Sequence, residues 1–185
     1  MRPRPSAINT WIAVLSGGGV LHGERETEGA VAASRIVGEQ RLSQLRAWLE
    51  VQTEEDVADI RSAAIELCMW MAVADRVIDP RERELLADIV RSSGLTSAEE
   101  TRLLTLLPAA LSDVRRLPHV ETLAERLDHP VLRELMLALV WHVARADGYV
   151  DALEGTSYER LAAIFGVEHD VAMAISDVLA TPSTS

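Results

Sequence analysis

The chain has 185 residues, 48% of them apolar and 25% charged, the balance of an ordinary globular chain with room for one domain and a small appendage. Against 18 basic residues stand 29 acidic ones, and the net charge of −11 excludes a nucleic-acid partner in the absence of a basic stripe, of which the sequence has none. All 18 basic residues are Arg, so Schiff-base catalysis by lysine and a phosphate-binding P-loop lysine are excluded too.

Cys68 is the single cysteine, which rules out an intrachain disulfide and any Cys-based zinc or iron–sulfur site; it reads as a small apolar residue in a helix core. Residues 1–29 read as a flexible leader: Pro3, Pro5, the glycines Gly17 to Gly19 and the polar run Glu24 to Glu28 cannot build a core. Within it the short apolar stretch Trp11 to Leu15 is expected to dock on the body rather than on a membrane surface. That stretch is far shorter than the roughly 20 residues that span a bilayer. Arg2 and Arg4 precede it, but no A-x-A cleavage signal follows, so the expectation is a cytoplasmic chain with no transmembrane segment.

From Ala30 the apolar spacing becomes helical, with Val31, Ile36 or Val37, Leu42, Leu45 and Leu49 on one stripe. Thr53 is a good N-cap, followed by Glu54, Glu55 and Asp56, and Val57, Ile60, Ala64, Leu67, Met71 and Ala74 mark the buried face of the next helix. Further helices are predicted from Pro80 to Ser92, with a stop at Gly94, and from a capping box at Thr96 to Glu99 toward Pro108. After the Leu117-Pro118 break come Val120 to Leu127, Pro130 to Ala146, Ala152 to Phe165 and Glu168 to Leu179; Thr181 to Ser185 reads as a disordered tail. Strand-like alternation is absent. The prediction is an all-α bundle of seven to eight helices over residues 30–180.

Residues 72 positions apart match: Asp75 with Asp147, Asp79 with Asp151, Glu82 with Glu154 and Gly94 with Gly166, with apolar partners such as Ile78 and Val150 between them. Each copy reads helix, A-D-x-x-(I/V)-D-x-x-E, helix, G-(L/V). The first covers about 54–107 and the second about 130–179, and two pseudo-twofold-related repeats would bring the acidic turns near each other.

On a continuous helix Asp75, Asp79 and Glu82 would lie within about 60° of one another, but Pro80 ends that continuity. Asp79 then becomes N-cap, Pro80 the first helical residue and Glu82 the third, a capping-box-like arrangement repeated by Asp151 and Glu154. Asp75 and Asp147 sit where a helix C-terminus disfavours negative charge, so each needs compensation. Three readings stay open for them: an Asx-type bond to the following turn, simple surface charge, or an oxygen cage for calcium or magnesium completed by the N-cap Asp and the Glu. The spacing is not that of an EF-hand. Gly148 after Asp147 accepts a left-handed conformation, whereas Arg76 after Asp75 resists it and brings a guanidinium, so Asp147, Asp151 and Glu154 are favoured over Asp75, Asp79 and Glu82.

His142 aligns with Trp70 and reads as a core or boundary filler, and Trp70 and Trp141 read as core. Motifs for di-iron, zinc-protease or serine-hydrolase chemistry are missing.

At Ala146 to Glu154 (A-D-G-Y-V-D-A-L-E) and Ala74 to Glu82 (A-D-R-V-I-D-P-R-E) the chain resembles the TerB-like tellurite-resistance family over roughly residues 54 to 180. Arg76 departs from the family's usual glycine. The resemblance implies an all-helical, non-enzymatic domain whose clustered acids bind a divalent cation, acting in a stress response with a protein partner at the inner membrane face. A cation-responsive interaction module is the first reading. A structural adaptor whose acids only cap helices is the second, and a metal-dependent hydrolase, lacking a general base or nucleophile in the motif, is a distant third.

Overall fold

A computed structural model describes residues 33–74, 78–146 and 148–180, and these residues form helices, turns and loops with no strand among them. The helices are α1 (Glu39–Val51), α2 (Glu54–Ala72), α3 (Pro80–Ser92), α4 (Ser97–Ser112), α5 (Val120–Arg126), α6 (Pro130–Ala144), α7 (Ala152–Phe165) and α8 (His169–Ala180), with a 3₁₀ turn at Val114–Arg116. The leader assigned to residues 1–29 and the tail 181–185 lie outside the described residues.

Two helices make the centre. Along α6 Val131, Leu132, every residue from Leu135 to Val140, Val143 and Ala144 are buried, and α2 is buried almost as completely. A helix whose apolar residues run around most of its circumference keeps little solvent face, so it becomes the inner layer. Accordingly α6 packs against α1, α2, α3, α7 and α8, while α2 also meets α3, α4, α5 and α7. Cys68 lies in that layer, fully buried, and burial pushes its thiol well above the usual range. Trp70 and Trp141, expected in the core, are only partly buried at its boundary. Tyr158 of α7 is 2% exposed, rests on the Trp141 ring at 4.7 Å and donates its hydroxyl to the Ala172 carbonyl at 2.8 Å, fastening α7 to α8.

Three local readings are corrected. The stripe Val37, Leu42, Leu45 and Leu49 is buried as expected, but residues 33–37 and α1 are separate helical pieces, because Gly38 has φ 82° and turns the chain between them. The helix predicted to stop near Pro108 continues to Ser112. Proline removes one amide, but Leu107 and Ala110 are buried on either side, and packing outweighs the single lost bond. The 3₁₀ turn was not predicted; the Asp113 carboxylate nucleates it by accepting from the Arg115 amide at 3.2 Å.

Candidate functional site

Both acidic turns form where the chain passes from an inner helix to the next one. Helix α2 ends at Val73, whose amide donates to the carbonyls of Met69 and Met71; α6 ends at Arg145, whose amide donates to Trp141 and Val143, the positions 72 residues later. Pro80 then starts α3 at its first position, with Asp79 extended before it (φ −63°, ψ 146°). Asp79 Oδ1 accepts from the Arg81 amide at 2.8 Å, and Glu82 Oε2 accepts from the Asp79 amide at 2.8 Å. At the second turn Asp151 Oδ1 accepts from the Glu154 amide at 2.8 Å and Glu154 Oε2 accepts from the Asp151 amide at 2.9 Å. Each pair is a complete capping box.

The two glutamates are buried, at 5% for Glu82 and 8% for Glu154, whereas the two aspartates stand half-buried. Gly148 has φ 94°, so the left-handed residue expected after Asp147 is there, with open space around the position a Cβ would take. Asp75, Arg76 and Asp147 lie outside the described residues. Among the described residues no group of three or more His, Cys, Asp or Glu is arranged to hold a metal ion. The four described acids are hard oxygen donors of the type calcium and magnesium take.

Tyr149 and Leu153, at 69% and 57% exposure, flank Asp151 on the surface of the second turn. The first turn carries an exposed Arg81 at the position of Leu153, so the two turns present different chemistry to a partner.

A profile of the tellurite resistance protein TerB family matches residues 61–176, more than half of the chain, from within α2 to within α8 and across both acidic turns. The chain belongs to the TerB family. Neither a curated protein nor a solved structure matches it. The TerB match leaves out α1, which packs on α6 with Leu42, Leu45 and Leu49 fully buried and is clamped by Arg41, whose Nη1 and Nη2 donate to Glu134 at 2.7 and 2.5 Å. Among the described residues no helix is long and apolar enough to cross a membrane.

One polar cluster was missed by sequence reasoning. Glu66, 3% exposed on α2, accepts from Arg102 Nη1 of α4 and Arg126 Nη1 of α5, each at 2.9 Å. Arg126 also holds Asp59 with two bonds of 2.6 and 2.9 Å, and Arg102 reaches the Ser62 hydroxyl. The signal was a lone glutamate inside the apolar run Ala63 to Met69, a place where only a paired carboxylate is tolerated.

Proposed function

We propose that this TerB chain is a non-enzymatic, cation-responsive interaction module in a bacterial stress response of the tellurite-resistance type. Asp147, Asp151 and Glu154 would hold calcium or magnesium, with Asp75, Asp79 and Glu82 as the weaker, pseudo-twofold-related counterpart. The bound ion would neutralise carboxylates at the mouth of the turn and change what a protein partner meets there. The cytoplasm, at the inner membrane face, is the proposed place of action, without nucleic acid.

The observation supporting this reading is the buried Glu154, fixed by a complete capping box beside Gly148 at φ 94°. The nature of the donors and their burial both suit a hard cation, and the family's domains are generally non-catalytic. A second reading, a structural adaptor, draws on the same geometry: all four described carboxylates of the turns already serve as caps.

Denaturation with chelator and with excess calcium or magnesium tests the reading. A cation that binds only the folded chain raises stability by about 2.7 kcal/mol at a hundredfold excess over its Kd. Asp147→Asn should abolish that gain more completely than Asp75→Asn. Equal loss in both variants removes the preference for the second turn, and no gain with either ion leaves the adaptor.

A further inference from the structure

A cavity of about 300 Å³ opens between α3 and α4. Its floor is buried and apolar, made by Met69 of α2 with Leu86 and Val90 of α3, and its rim carries the exposed residues Arg83 of α3 and Leu104 and Pro108 of α4. An enclosed apolar cavity of about 150 Å³ takes up benzene, so this one has room for two fused rings.

The residues 72 positions further along the chain account for the space. Met69 corresponds to Trp141 and Leu86 to Tyr158, whose rings pack at 4.7 Å between α6 and α7 while the Tyr158 hydroxyl reaches the Ala172 carbonyl of α8. Two rings are thus replaced by two slimmer side chains, and both of these line the cavity. Arg83 corresponds to Gly155, so a guanidinium stands at the rim where the later helix has no side chain. Among the described residues the Arg83 side chain has no hydrogen bond or ion pair. No acid lines the cavity, so an anion there meets one cation and no like charge, in a chain of net charge −11.

We propose that this cavity binds a small aromatic carboxylate of one or two rings, the rings lying on Met69, Leu86 and Val90 and the carboxylate on Arg83. A thioether contacts an aromatic ring better than an aliphatic chain. A guanidinium matches a carboxylate with two parallel hydrogen bonds. The carboxylates of the two acidic turns take no part in the lining, so the site does not depend on a bound cation.

The test titrates indole-3-acetate, indole and hexanoate separately into the full-length chain and follows its methyl NMR signals. Indole-3-acetate should shift the Met69, Leu86, Val90 and Leu104 methyls saturably and leave Leu45 of α1 unmoved; indole should bind more weakly, and hexanoate should not bind. Arg83→Gln should weaken indole-3-acetate about threefold to fivefold, the scale of an exposed ion pair, and leave indole within about twofold. Leu104→Trp puts a ring at the rim, off the face of α4 that buries Leu103, Leu107 and Ala110, and should block both indoles. Hexanoate binding as tightly as indole-3-acetate overturns the aromatic class, and an unchanged indole-3-acetate affinity in Arg83→Gln overturns the carboxylate pairing. Absence of saturable shifts at the cavity methyls, or equal shifts at Leu45, overturns the site itself.

Discussion

Asp151 and Glu154 each donate a backbone amide to the other's carboxylate, at 2.9 and 2.8 Å, so the first turn of α7 is closed by the same two side chains that a bound cation would require. Cap and cage therefore share atoms, and a substitution that removes the carboxylate without removing the cap separates them.

Serine accepts the N-cap bond about as well as aspartate but offers a neutral hydroxyl to a hard cation. Asp151→Ser should leave metal-free stability within about 0.5 kcal/mol, whereas Asp151→Ala should lose about 1 kcal/mol. With excess calcium or magnesium, wild type should gain stability and Asp151→Ser should not. Denaturant titrations with chelator and with cation read both numbers. If wild type ignores the cation, the carboxylates are caps alone.

These capping boxes were legible because they are local. Asp79-Pro80 and the three-residue spacing from Asp to Glu fix the first turn of a helix whatever surrounds it, and Thr53 and Thr96 act the same way. The stripes of α1 and α2 were legible for a related reason: the period of a helix is written in its apolar positions. What escaped depended on partners far along the chain. Nothing near Glu66 announces Arg102 or Arg126, which lie 36 and 60 residues away. Pro108 misled because its local preference opposes a helix that burial of Leu107 and Ala110 maintains.

The Glu66 cluster predicts an unequal pair of arginines. Arg126, 25% exposed, binds both Glu66 and Asp59, whereas Arg102, 50% exposed, is more fully screened by water. Arg126→Met should cost about 1 to 3 kcal/mol, since a buried carboxylate loses a charged donor, and Arg102→Met at most about 1 kcal/mol. Urea midpoints at neutral pH, with Glu66→Gln in each background, measure the coupling. A loss for Arg102→Met equal to or above that for Arg126→Met contradicts the assignment of Arg126 as the central cation.

His129 gives the fold a pH dependence of definite sign. It is the N-cap residue of α6, its ring lies 5.0 Å from that of Trp48, and its Nδ1 is buried without a hydrogen-bond partner among the described residues. Burial lowers its pKa below the ordinary value, the Arg41 charge lowers it further, and Asp128 only partly opposes them. The unfolded chain, with an ordinary pKa of about 6.5, therefore binds a proton before the folded chain does. Stability from this group is complete above pH ~6.5 and is lost as pH falls through the folded pKa. His129→Gln removes the titration, so the wild-type advantage over the variant should shrink between pH 7.5 and pH 5. Because the ring is only half-buried, the change should be about 0.5 kcal/mol. Using the difference between the two proteins cancels the other four histidines. A difference that stays constant, or moves in favour of wild type as pH falls, would show that His129 is charged as readily in the fold as outside it.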